Sequence, residues 1–249
     1  MTGAPDTAAP RTPRVILVVG AAGGSGASLL AGGVALALQR AGVASWLVEM
    51  ASGRGDLADA WDLPGDRTVD DLLPVMGELA PHHLRAARRE HPSGLGVLVA
   101  SGVPGGAAWD PAATEGLLTA AAGVAGEGGA CVADAGTGLG APARGVVAVA
   151  GRVLVVCPPR VAAARRARAI AAAIDGAGRP GTASLVVAAG VGRAEIGMRA
   201  LGRAAGVPVA AEIPWSPGEA AELGAGRWPR GRAGRGLRGA VEGLVASWT

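Results

Sequence analysis

Lysine is absent from this chain of 249 residues, and so are asparagine, phenylalanine and tyrosine. All 23 basic residues are arginine. No Schiff-base lysine, no lysine general base and no phosphate-loop lysine of the usual kind can exist here. The four missing types share A/T-rich codons, so a GC-rich coding sequence accounts for their joint absence. Cysteine is scarce. Cys131 and Cys157 lie at the start and end of apolar runs. Two cysteines make neither a disulfide framework nor a zinc site, so they read as buried, reduced thiols of a cytosolic protein. No apolar run reaches the ~18 residues needed to cross a bilayer. Residues 1–13 are rich in Pro, Ala and Thr and lack the apolar stretch of a signal peptide. They read as a disordered leader before a domain over 14–249.

What is there is mostly small. Alanine (57) and glycine (43) together make 100 residues, yet 50% hydrophobic content is enough for a core. The formal net charge is only +3. A pI near 10 therefore reflects arginine standing for lysine, and is weak support for nucleic-acid binding.

Short apolar runs alternate with longer amphipathic segments. Val15–Val19, Trp46–Val48, Leu95–Ala100, Cys131–Ala133, Arg152–Cys157, Ser184–Ala189 and Val207–Ile213 read as strands. Helices are expected over Ser28–Ala41, Thr68–Leu79, Pro81–Glu90, Pro111–Val124, Val161–Ile174, Arg193–Ala205 and Gly236–Trp248. Strands apolar throughout are buried on both faces, so the pattern predicts an α/β fold. Its mostly parallel sheet carries helices on both faces. Ligands in such sheets bind at the carboxyl ends of the strands.

The loop after the first strand reads Gly20-Ala21-Ala22-Gly23-Gly24-Ser25-Gly26-Ala27-Ser28. Its glycines let backbone N–H groups curl around an anion, and the following helix adds its N-terminal partial charge. Ser28 is placed to bind Mg²⁺ or to cap the helix. Gly23 to Ser28 resembles the deviant Walker A loop of the MinD/ParA P-loop ATPases, K-G-G-x-G-K-[ST]. Ala22 and Ala27 stand at the two lysine positions. Loops of this lysine-less kind are similar to those of CpaE/TadZ-like and septum-site-determining (Ssd-type) proteins.

The resemblance spans about Arg14 to Trp248. Leu47 to Leu57 resembles the second-strand segment V-D-x-D-P-x-G-G-x-L-D, with Glu49 for the first Asp and Ala51 for the second. Val132 to Gly136 resembles V-V-x-D-x-P/G, with Asp134 retained. Val207 to Trp215 resembles G-x-P-V-x-x-x-I-P-x-D near the adenine. Ala188-Ala189-Gly190 stands where the family has an Asn that reads the base.

The resemblance implies a nucleotide site of Gly23, Gly24, Ser25, Gly26, Ala27, Ser28, Leu29, Pro214 and Trp215. It implies a metal set of Ser28, Glu49 and Asp134, with ATP and Mg²⁺ weakly held as cofactors. No catalytic residue is assigned. Phosphoryl transfer needs its charge neutralised, and each lost preorganised group costs roughly 10²–10³ in rate. Arg54 is the nearest basic candidate in sequence, and no arginine lies in the loop itself. Efficient hydrolysis is therefore not expected. Weak binding without turnover and full loss of binding both stay open, and for Asp134 so does a simple turn cap.

The resemblance also implies partners: pilus or type II secretion machinery or the division septum, and a homodimer. The location is cytoplasmic, extending to the inner face of the membrane. Arg165, Arg166 and Arg168 read as a solvated helix face before they read as a non-specific DNA surface. Near the end, Arg227, Arg230, Arg232, Arg235 and Arg238 accompany an apolar stripe of Leu237, Val241, Leu244, Val245 and Trp248. Residues 230–249 are thus either a core helix, the first reading, or a membrane-surface helix. His82, His83 and His91 lack metal spacing and read as surface, with adjacent histidines pointing apart. Trp61, Trp109, Trp215 and Trp228 read as packing of the loop layer.

Overall fold

The structure, a computed structural model, describes residues 15–50, 55–102, 109–230 and 236–248. The leader over 1–13, Ala51, Arg54, Arg232 and Arg235 lie outside these residues.

Eight strands form one sheet: β1 (Val15–Gly20), β2 (Ser45–Glu49), β3 (Arg89–Glu90), β4 (Gly96–Leu98), β5 (Ala130–Thr137), β6 (Arg152–Cys157), β7 (Ala183–Ala189) and β8 (Val209–Pro214). Their order is β3-β4-β2-β5-β1-β6-β7-β8. Every pairing is parallel except β3 with β4. The helices are α1 (Ala27–Arg40), α2 (Leu57–Ala60), α3 (Pro81–Ala87), α4 (Pro111–Val124), α5 (Ala141–Val149), α6 (Val161–Gly176), α7 (Met198–Ala205), α8 (Pro217–Gly224) and α9 (Leu237–Ala246). The expected doubly covered parallel sheet is what forms.

Alternate strand residues divide between two cores, as the two-residue period of a strand requires. Leu17, Val19, Val48, Ala133, Val155 and Val187 face α4, α5, α6 and α7. Ile16, Val18, Leu47, Val132, Leu154 and Val186 face α1, α8 and α9.

Several expected boundaries move. Thr68–Leu79 folds as a 3-10 helix over Val69–Glu78, because Pro74 lies inside it and cannot donate to an α-helical ladder. Thr68 and Asp71 cap its start reciprocally. The helix expected over Pro81–Glu90 ends at Ala87. Arg89 and Glu90 become the antiparallel edge strand, and the Arg89 guanidinium donates to the carbonyls of Arg67 and Leu63. The helix expected from Arg193 starts at Met198. Glu195, ahead of it, accepts from the Val161 N–H at the start of α6 (3.0 Å). The Ala/Gly-rich stretches hid α2, α5 and α8.

The stripe on α9 is core. Leu237, Val241, Leu244, Val245 and Trp248 are all buried. The apolar face that a membrane-surface helix would need is turned inward. No helix among the described residues is long and apolar enough to cross a membrane. His82 and His83 do not point apart: their rings lie 4.0 Å centroid to centroid. His83 turns back so that its Nδ1 accepts the Ala80 N–H (3.1 Å).

Candidate functional site

β1 ends at Gly20 in the middle of the sheet, with β5 on one side and β6 on the other. A side chain at Gly20 would meet Ser25 Oγ at 2.5 Å and the Gly136 carbonyl at 3.1 Å. The bare backbone lets the glycine loop fold back over the strand end. Ser25 is buried beneath it, and its N–H donates to the Ala22 carbonyl (3.2 Å). Gly24 (φ +67) and Gly26 (φ +84) adopt the left-handed conformation that glycine accepts at no steric cost. No neighbour lies within 4 Å of the side-chain positions of Gly23, Gly24 and Gly26, so these residues form an open rim.

Gly26 then starts α1 without a side-chain cap. The first helical bond runs from Leu30 N to Gly26 O (2.9 Å). The N–H groups of Ala27, Ser28 and Leu29 therefore have no intrahelical acceptor, which is the geometry that binds anions. Ser28 is exposed at this turn, whereas Ala27 is buried and packs into the core below α1.

Asp134 and Glu49 are register partners on adjacent strands. Asp134 Oδ1 accepts the Gly136 N–H (2.9 Å), and the nearby Ser28 hydroxyl favours its charged form. Asp134 is thus both a turn cap and a neighbour of the helix start. Burial raises its pKa, and the charge of Asp56 adds to that rise. Glu49 is fully engaged by backbone. Oε1 accepts the N–H groups of Asp56 (3.2 Å) and Leu57 (3.3 Å), and Oε2 accepts Ala100 N–H (3.0 Å). Burial pushes its pKa up to about 7 against the pull of these three bonds, and the Asp134 charge raises it further. Glu49 clasps β2, the start of α2 and the end of β4 together. Asp56 is the participant that sequence reading missed, because the short helix α2 that it precedes was itself not legible in the sequence.

Among the described residues, no group of three or more His, Cys, Asp or Glu side chains could hold a metal. Ser28 and Asp134 could contribute two oxygens beside a phosphate. Both oxygens of Glu49 already serve amides.

Beside the loop lies an apolar cleft. Ser25, Gly26 and Leu29 form one wall, and Pro214 and Trp215 another. Five of the expected nucleotide residues thus meet at one place. Val156, Val186, Ala188 and Ile213 floor it, and Leu237 and Val241 of α9 close it. The last two were not expected there, although their i,i+4 spacing marks a buried face. The room inside is about 30 Å³, about enough for one water. Trp215 is 47% exposed at the mouth. The phosphate end of the site fits a nucleotide, but this cleft as it stands does not accommodate a base.

Cys131 and Cys157 are free and buried, and burial pushes their pKa values up to about 12 and about 11. Neither is poised as a nucleophile.

No protein-family model matches the chain, and no curated protein matches its sequence. Solved structures do. A ParA family ATPase from Chlorobium tepidum superposes with TM-score 0.78 at 17% identity, over 94% of this chain and 98% of that one. The septum site-determining protein MinD of Pyrococcus horikoshii, solved with Mg-ADP, gives 0.74 at 18%, over 94% and 95%. MinD of Aquifex aeolicus in its complex with MinC gives 0.71 at 18%, over 94% of each. This is the MinD/ParA P-loop fold. In that fold the glycine loop here carries alanine at positions 22 and 27 and no cation, with Glu49, Asp56 and Asp134 near its edge.

Proposed function

We propose that this chain is a degenerate MinD/ParA-like protein, closest in kind to the CpaE/TadZ and Ssd-type branch, that positions or regulates a protein partner. The candidate partners are pilus or type II secretion machinery and the division septum. It hydrolyses ATP weakly or not at all.

One observation carries this reading. The cradle at Gly23 to Leu29 has an open glycine rim and free helix amides, but its charged neighbours among the described residues are acids. Asp134 feels the charge of Asp56, and Glu49 feels that of Asp134. A triphosphate brought to this edge meets carboxylates with no lysine to offset them. Ser28 and Asp134 would take the Mg²⁺ that accompanies a nucleotide. The metal's charge is the offset available to the loop. The loop amides would hold phosphate oxygens, while Glu49 keeps α2 and the end of β4 in place around them.

Titration with a fluorescent ATP analogue and Mg²⁺ tests this. Weak or absent binding, with no sustained phosphate release, is expected. Steady release abolished by Ser28→Ala would replace this reading with a slow ATPase completed by a dimer or partner residue.

A second reading, a DNA-associated partition-like protein, rests on a separate surface. Arg165, Arg166 and Arg168 are exposed on α6, and Arg199 and Arg203 are exposed on α7, which packs against it. Binding to duplex DNA that falls steeply with salt, and falls further in Arg165→Ala/Arg166→Ala, would favour it.

A further inference from the structure

α1 runs from the glycine loop at its N-terminus to Arg40 at its C-terminus, 14 residues or about 20 Å away. Around its far end lies a second, larger cleft of about 610 Å³. That volume falls in the range of small-molecule sites, roughly 300–1,000 Å³. Three stretches far apart in sequence build it: the end of α1, the turn from His91 to Ser93, and residues 222–230 together with Arg238 of α9.

Its lining is rich in donors. Arg40, Arg227, Arg230 and Arg238 all contribute. Arg238 is committed to Glu242 (2.9 Å) and to the Pro229 carbonyl (3.3 Å). Arg40, Arg227 and Arg230 have no ion pair among the described residues. Glu222 is the acid among the lining residues, and one of its oxygens is taken by the Arg230 backbone N–H (3.0 Å). The Arg40 guanidinium lies 5.5 Å from the centre of the Trp228 ring. Three guanidiniums without an ion pair among the described residues therefore line one cleft, with Glu222 as the lining acid set against them. An anion in the cleft is attracted by all three charges at once. Planar guanidiniums suit the paired oxygens of phosphate and carboxylate.

We propose that this cleft is a binding site for a compact, multiply charged anion, a phosphorylated or polycarboxylate small molecule, held by Arg40, Arg227 and Arg230, with the Trp228 ring beneath Arg40. It lies at the opposite end of α1 from the glycine loop and does not depend on what that loop binds.

Pyrophosphate and citrate are the probes, one for each source of charge, read by tryptophan fluorescence and by calorimetry. Saturable binding of either one is expected, which also identifies the chemistry. Arg40→Ala and Arg230→Ala each weaken it by about tenfold or more, as loss of a charge-assisted contact does. Trp228→Phe keeps a ring beneath Arg40 but removes the reporter: it abolishes the fluorescence response and leaves calorimetric binding in place. Arg199→Ala, on the far α7 surface, leaves binding unchanged. Absence of saturable binding by both probes at about 10 mM would overturn the site, since such weakness means under ~3 kcal/mol. So would equal losses in Arg199→Ala and Arg230→Ala, which mark non-specific attraction.

Discussion

The two ends of α1 carry opposite chemistry. At the N-terminal end, free helix amides and an open glycine rim face Asp134, Glu49 and Asp56. At the C-terminal end, Arg40 joins Arg227, Arg230 and Arg238 around a roomy cleft. Among the described residues, the charges that act on Asp134 and Glu49 at the phosphate-shaped end are acidic, and the arginines of the cleft gather at the other end. Backbone geometry and charge are therefore separable in this fold. The loop is shaped by glycine conformations and by burial of Ser25, neither of which requires a lysine.

The largest effect should come from the structure behind the arginine end. Trp248 is 1% exposed and stacks under Arg152, 5.0 Å from its guanidinium. Trp248→Ala should cost about 3–5 kcal/mol in denaturant unfolding. A loss under about 1 kcal/mol would mean that α9 is not integral to the core.

The acid end should show itself in pH. Folding raises the Glu49 pKa from 4.5 to about 7, so the folded state binds the proton more tightly than the unfolded chain does. Stability from this group is full below 4.5 and is lost as pH rises through 7. Asp134 shifts the same way, and His91, lowered by burial, works in the opposite sense. Glu49→Gln isolates the first contribution. The wild-type protein should lose on the order of 2–3 kcal/mol more than the variant between pH 5 and 8. Parallel pH profiles would contradict the raised pKa.

Returning a cation to the loop sharpens the contrast directly. Ala22→Lys, at the less buried of the two lysine positions, should tighten binding of a fluorescent ATP analogue with Mg²⁺ by about tenfold or more. An unchanged affinity would move the obstacle from charge to the narrow base cleft. The smallest effect concerns the rim. Gly24→Ala should cost about 1 kcal/mol because of its positive φ, and Gly23→Ala should cost less than about half of that. Equal costs in thermal unfolding would show that conformation does not distinguish the two.

Much of the fold was legible in advance because it rests on local pattern. Runs such as Val15–Val19 and Arg152–Cys157 alternate with amphipathic helices, and that period specifies a covered parallel sheet. Pro74 and the β3 edge were misjudged for a local reason: helical periodicity in 68–90 competes with a proline and with pairing to residues 96–97. The cradle from Gly23 to Leu29 was legible from glycine spacing alone. The role of Glu49 was not. A metal ligand and a backbone clasp have the same sequence, and only the amides of Asp56, Leu57 and Ala100 distinguish them.

The sequence by itself determined the alternation of strands and helices, the glycine turn after the first strand and the absence of lysine. These are properties of neighbouring residues and of composition. Tertiary structure decided where the charge went. Glu49, Asp56 and Asp134 meet across three segments, and Arg40 meets Arg227 and Arg230 across nearly the length of the domain. It also decided that the α9 stripe faces the core. Electrostatic fields and burial depend on distance in space, and the order of residues along the chain does not specify that distance until the sheet has closed.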